Sequence, residues 1–192
     1  MSTLFNINKY YYLDKRFIPR NPRILKIGAF DNVIANQLGE AFPTGTIMQY
    51  EGDPINYYNL RKKPHASNVE TRHGVVSSFE GVIKFHHYNI NGSHSIYARD
   101  DRKKICTFVL GTVDILNIIQ NYDILLLNCE GSEIPILDAI IDHEELYDLQ
   151  QIAVGFHHFI DPKPTIKKLL KEFDGKCVRD KYNYWLFTRR TK

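Results

Sequence analysis

Residues 125–137 read LLLNCEGSEIPIL. Leu125, Leu126 and Leu127 form an uninterrupted apolar run, the material of a strand covered on both faces, where alternation with polar side chains is not expected. Glu130 has no place in the body of such a strand. The spacing therefore predicts a strand that stops near Asn128 or Cys129, a turn at Glu130-Gly131, and a helix led in by Ser132 or Glu133 and carrying Leu137 and Ile140. Polar groups then gather at the carboxyl end of a central strand, where open α/β sheets take their ligands.

The rest of the chain supplies the sheet around that strand. Residues 1–22 are a polar and aromatic lead closed by Pro19 and Pro22. Ile24 to Ile27 reads as a short strand with Lys26 as its only charge, ended by Gly28; Asp31 or Asn32 can cap the helix VIANQLGEAF. TIMQYEGDP is a second strand closed by Pro54, and NYYNLRKK a helix. Val75-Val76 and VIKFHHY are strands, the latter with Val82, Lys84 and His86 on the face opposite Ile83, Phe85 and His87. Asn91-Gly92 signals a turn, and RDDRKK at 99–104 reads as a solvated loop. CTFVLGTVDILNII predicts a strand and then a helix with Val113, Leu116 and Ile119 on its apolar side. IPILDAIIDHEEL is a helix if Pro135 falls in its first turn, LQQIAVGFHHF a strand, TIKKLLKEF an amphipathic helix with Phe173 on its apolar side, and YNYWLFTRRTK the closing strand. Strands alternating with helices at this tempo imply a doubly wound, mostly parallel, Rossmann-like α/β sheet in a single domain spanning 1–192, with an antiparallel strand at the C-terminus.

Composition narrows the classes. Against 22 Asp and Glu stand 25 Lys and Arg, too near balance to mark a nucleic-acid binder. Cys106, Cys129 and Cys177 have no metal-knuckle spacing and are odd in number, so they read as small apolar fillers in a reducing compartment. No run approaches the roughly 18 apolar residues of a membrane span, and a soluble, cytoplasmic protein is expected, with no feature that specifies an oligomeric state. Tyr10, Tyr11 and Tyr12 read as packing rather than as a base-stacking platform, since no basic groove motif surrounds them.

Two strand ends carry chemistry besides Glu130. Gly28 allows close backbone approach at the first crossing, although GAFDNV at 28–33 is not a GxGxxG fingerprint. Glu51, supported by Gly52, Asp53 and Pro54, ends the next strand, where an acid can accept both hydroxyls of a ribose. KIGAFDN, YEGDP and LNCEGSE, in that order, resemble the DIGAN, FEPNP and KIDVEGAE elements of the FkbM-like group of class I S-adenosylmethionine-dependent methyltransferases, and residues 68–97 resemble the segment that joins that family's cofactor half to its later sheet. GFHHF resembles a strand ending in an acid and a histidine, with Gly155 in the acid's place. Lys26 stands where the family has an acid, Phe30 where it has an Asn, and Asn128 where it has an Asp.

The resemblance implies an S-adenosylmethionine-dependent O-methyltransferase acting on a sugar or glycan hydroxyl. Gly28, Ala29 and Phe30 would border the cofactor's methionine part, Glu51 and Gly52 its ribose, and Val76 its adenine. His157 is the preferred base, because a histidine takes a proton near neutral pH without special tuning; Glu130 would orient it or accept the substrate hydroxyl, and Asn128 would act through hydrogen bonding. Glu133 and His158 lie near the same edge. Asn91, Ser93, His94 and His158 are expected on the acceptor. The histidines form no metal signature, and adjacent histidines of a strand face opposite ways, so no metal is expected. The alternatives are a noncatalytic cofactor- or glycan-binding module of the same fold, an NAD-dependent oxidoreductase or epimerase, which the missing glycines disfavour, and a nucleic-acid methyltransferase, supported only by RDDRKK and Arg189-Arg190, which make no continuous basic stripe.

Overall fold

The computed structural model describes residues 4–7, 11–89, 94–143, 148–157, 161–180 and 183–190. Its centre is the strand expected from the leucine run, β9 (Ile124–Leu127), every side chain of which is buried. Each such side chain contributes about 1.5–3 kcal/mol of transfer free energy. Period-two alternation sends Leu125 and Leu127 to one core and Ile124 and Leu126 to the other.

On one side β9 pairs in parallel with β3 (Arg23–Ile27), which continues through β4 (Thr46–Glu51) to β5 (Val69–His73); on the other it pairs in parallel with β10 (Gln151–Gly155). β12 (Tyr184–Arg189) lies antiparallel between β10 and β11 (Phe173–Arg179). The full order is β11-β12-β10-β9-β3-β4-β5, the mixed, mostly parallel sheet expected, with its antiparallel C-terminal region.

Helices cover both faces. On one, α3 (Glu133–Asp142) and α4 (Lys163–Leu169) press Ile136, Leu137, Ile140, Ile166 and Leu169 onto Leu125, Leu127, Ile152 and Val154. On the other, α1 (Val33–Ala41) brings Ala35 and Leu38 beside Tyr11 and Leu13 of the N-terminal lead. That lead is built into the fold: β1 (Leu4–Asn6) pairs with β2 (Tyr12–Asp14), and the Gln151 side chain both accepts from the Asp14 N–H at 2.7 Å and donates to its carbonyl at 3.1 Å. Tyr11 is core, as its packing role requires. α2 (Pro54–Leu60) begins with Asp53 Oδ1 accepting from the Asn56 N–H and Pro54 in its first turn.

Three expectations need correction. Residues 113–121 form no α-helix: β8 (Lys104–Asp114) runs on to Asp114, whose side chain caps a single 3-10 turn, and a second such turn follows. The β-branched residues of ILNII resist continued helix. Phe173 belongs to a strand rather than to α4, and β11 escaped the sequence reading because Asp174 and Gly175 look like breakers; on this edge strand Gly175 instead makes room for the Phe187 ring. The helix expected over 56–63 starts at Pro54 and ends at Leu60.

A smaller sheet is inserted between β5 and β9. β7 (Val82–Tyr88) pairs antiparallel with β8, and β6 (Val75–Ser77) pairs in parallel with the far end of β8. The opposite faces assigned to Val82 and Lys84 and to Ile83 and Phe85 are present.

At the end of β10, Gly155 lies against the Tyr184 ring of β12. A Cβ there would stand 2.3 Å from Tyr184 Cε1. Gly155→Ala is expected to displace that ring and lower stability by about 1–3 kcal/mol, read as a lower urea midpoint with unchanged slope.

Candidate functional site

β3 and β9 are neighbours, yet their chains leave in opposite directions across the sheet, and the crevice of such a sheet opens at this switch point. Gly28 (φ 86) follows β3 and packs on the Asn128 backbone so closely that a Cβ would lie 2.0 Å from its carbonyl oxygen. The N–H groups of Gly28 and Ala29 both donate to the Tyr50 carbonyl. Phe30 follows with φ 57, a left-handed conformation uncommon for a bulky residue. Its N–H donates to Glu51 Oε2 at 2.8 Å, and the Asp53 N–H donates to Glu51 Oε1 at 2.9 Å. Glu51 is 6% exposed, and burial pushes its pKa up against those two bonds and the nearby charge of Lys26.

The resulting open cleft is lined at one end by Gly28, Phe30, Glu51, Gly52 and Asn56, along an apolar wall by Val75, Val76, Phe85 and Ile96, and at the other end by His94, Asn128, Cys129 and Glu130. Asn128 Oδ1 is buried with no hydrogen-bond partner among the described residues. Burial and the adjacent Glu133 hold the Cys129 thiol well above its usual pKa, so it stays protonated and fills space.

The Glu130 end is a charge network. Glu130 (φ 53) and Gly131 (φ 107) turn the chain left-handed out of β9. Glu133, 1% exposed, accepts the Cys129 N–H at 2.7 Å and the Gly131 N–H at 2.9 Å, closing that turn onto the start of α3. His157, just beyond β10, has Nδ1 2.9 Å from Glu133 Oε1 and Nε2 3.0 Å from Glu130 Oε1. Arg99 Nη1 donates to Glu130 Oε2 at 3.1 Å, and the Ser95 hydroxyl donates to the Glu130 carbonyl at 2.6 Å.

His157 and Glu130 converge across neighbouring strands, and the engagement of both His157 nitrogens by carboxylates weighs against the base role expected of it. Burial opposes its charge, yet the hydrogen bonds and charges of Glu130 and Glu133 outweigh burial and push its pKa up to about 10. At neutral pH it is an imidazolium with both nitrogens engaged, and it has no lone pair for a substrate proton.

His94 forms a second polar group with His87 and Asp53. Asp53 Oδ2 lies 2.5 Å from His87 Nδ1 and 3.9 Å from His94 Nδ1. The two rings stack at 4.2 Å with 10° between planes, and His94 Nδ1 accepts the Tyr88 N–H at 3.1 Å. Parallel rings do not aim their lone pairs at one point, and Nδ1 of His94 is already used, so these three donors are arranged as a hydrogen-bonded stack. Burial lowers the His94 pKa; the neutral ring, accepting at Nδ1, carries its proton on Nε2.

Of the residues singled out in the sequence, Gly28, Phe30, Glu51, Gly52, Val76, His94, Asn128 and Glu130 line this one cleft. Ala29 is 1% exposed beneath the turn, and its backbone serves the turn itself. His157 stands behind Glu130. Asn91, Ser93 and His158 lie outside the described residues. Arg99 was missed: it sits in RDDRKK, whose composition is that of a solvated loop, and only the fold brings its guanidinium to Glu130.

No family model matches the chain, and no curated protein matches it in sequence. Solved structures match through their fold. The precorrin-6y C5,15-methyltransferase of Geobacter metallireducens GS-15 aligns with a TM-score of 0.52 at 14% identity, over 88% of this chain and 82% of that one. A Streptococcus pneumoniae protein bearing a provisional tRNA (m1A22) methyltransferase name aligns with a TM-score of 0.50 at 8% identity, over 92% and 68%. At 8–14% identity these likenesses show a shared Rossmann-like, mostly parallel sheet flanked by helices, and neither narrows the chain to the FkbM-like group. No helix among the described residues is long and apolar enough to cross a membrane.

Proposed function

We propose that the chain is an S-adenosylmethionine-dependent O-methyltransferase, with the adenosyl cofactor in the cleft and a sugar or glycan hydroxyl as acceptor at the Glu130 end. Glu51 carries this reading. It is a buried carboxylate at the carboxyl end of β4 that lines the cleft and, after accepting one backbone N–H on each oxygen, retains acceptor capacity for the two hydroxyls of a ribose. Val75, Val76, Phe85 and Ile96 suit an adenine.

When bound, the cofactor supplies a methyl group already activated on a sulfonium, which leaves alignment and proton removal to the protein. Glu130 is the group to accept the hydroxyl's hydrogen bond and then its proton as the oxygen takes the methyl, because it lines the cleft with one oxygen held by Arg99 and the other by His157. His157 acts as the cation that fixes Glu130, and His94 offers its Nε2–H to an acceptor oxygen.

Calorimetry with S-adenosylhomocysteine tests the cofactor, and a panel of sugars and glycans incubated with S-adenosylmethionine, read by mass for the gain of one methyl group, tests the acceptor. A folded protein without affinity for the demethylated cofactor sinks the reading. The engagement of both His157 nitrogens favours a second one, a cofactor-binding module without turnover, for which binding without methyl transfer across the panel is the expected result.

A further inference from the structure

Lys26 is a cation in the middle of a central strand. Its side chain points into the α1 side of the sheet, 2% exposed, and its ammonium donates to the Gly28 carbonyl and, at 2.9 Å, to the Ala29 carbonyl. The N–H that follows the Ala29 carbonyl is that of Phe30, which donates to Glu51 Oε2. One peptide group therefore has a buried cation on its oxygen and a buried anion on its N–H. Both charges are costly to bury. Burial pulls the Lys26 pKa down to about 8, opposed by Glu51 on β4 and Asp31 on the turn, and the charge of Lys26 in turn opposes the upward push of burial on Glu51. The cross-strand neighbours of Lys26, Gln49 and Leu126, bring no charge. The clamp also accounts for Phe30, which holds its left-handed backbone where the Ala29–Phe30 peptide is gripped at both ends.

We propose that Lys26 is a positioning residue for the nucleoside end of the cleft: by orienting the Ala29–Phe30 peptide and keeping Glu51 a carboxylate, it sets how strongly the cleft prefers a ribose with both hydroxyls over one with neither. This rests on the cofactor reading above. A carboxylate accepts from both hydroxyls of a diol, whereas a protonated Glu51 presents a donor in place of one acceptor and gives up that preference. Lys26 acts on the ligand only through Glu51 and the turn.

The test measures binding of adenosine and 2′,3′-dideoxyadenosine to the wild type, K26M and K26R from about pH 5 to about pH 9.5, bracketing both groups. Wild type should prefer adenosine about 30-fold at pH 7, the worth of about 2 kcal/mol in charge-assisted hydrogen bonds. The preference should fade at the acid end as Glu51 takes a proton, and weaken above about pH 8, where Glu51 stays ionised, because the neutral Lys26 amine grips the Gly28 and Ala29 carbonyls less firmly than the ammonium. In K26M the preference at pH 7 should drop to about 3-fold or less, with its acid-side midpoint moved up, since a nearby positive charge has been removed. K26R, charged throughout the range, should restore the preference and hold it above pH 8. A merely structural role would weaken both nucleosides alike and leave the midpoint in place. If K26M does not fold, the wild-type series decides, and a preference flat from about pH 7 to about pH 9.5 overturns the proposal. An unchanged ratio and midpoint in folded K26M does so as well, leaving the cofactor reading intact. Failure of wild type to bind either nucleoside removes that reading, and the proposal with it.

Discussion

Glu133→Ala should destabilise the protein by about 3–5 kcal/mol at pH 7, the usual cost of stripping one partner from a buried ion pair. The carboxylate accepts two backbone N–H groups of the turn out of β9 and meets the His157 imidazolium, all at a site 1% exposed. No methyl group can replace those bonds, and three donors lose their partner together. Urea denaturation would measure the loss; a change below about 1 kcal/mol would mean that solvent reaches the turn. The same pair makes stability depend on pH. His157 has a folded pKa raised from 6.5 to about 10, so its contribution is complete below about 6.5 and is lost as pH rises through that window. Lys26, with a lowered pKa of about 8, works in the opposite sense above that value. Between about pH 6.5 and 8 the wild type should therefore lose up to about 1.4 kcal/mol per pH unit, a slope that H157Q should flatten.

Glu51→Ala should weaken S-adenosylhomocysteine binding about 100-fold, the loss expected when two hydroxyl donors no longer meet a carboxylate. The side chain also anchors the Phe30 and Asp53 N–H groups, so the comparison needs Glu51→Gln, which can still accept one of them. Circular dichroism of both variants should match wild type. Equal calorimetric affinity in wild type and the alanine variant would take Glu51 out of the site.

How far the sequence could be read follows from which interactions are local. Ile124–Leu127 declared a strand covered on both faces because its side chains are apolar without alternation, and the Glu130-Gly131 exit followed from the cost of burying an acid in such a strand. Adjacent parallel strands then bring Glu130 and His157 together. What stayed hidden depends on partners distant in the chain. The charge state of His157 is set by two carboxylates that must both be within hydrogen-bond reach, which no spacing reveals. Arg99 looked solvated because its neighbours are charged, and β11 looked like a loop because its glycine is explained only by the Phe187 ring. Lys26 reads as an exception in an apolar strand until the Gly28 and Ala29 carbonyls fold over it.

Gly155 and the Tyr184 ring share one volume, and this limits how the chain can diverge. A side chain at position 155 would overlap a ring that itself packs edge-on against Tyr11 of the N-terminal lead, at 5.8 Å between centroids. Alanine at 155 is reached by displacing that ring, but a residue larger than alanine is accessible only after a smaller one has replaced Tyr184, and that first step opens a void beside Tyr11 that costs about 3–5 kcal/mol. Descendants of this sequence should therefore keep the glycine and the tyrosine together or lose both, so the pairing at these two positions would date a lineage more sharply than either residue alone.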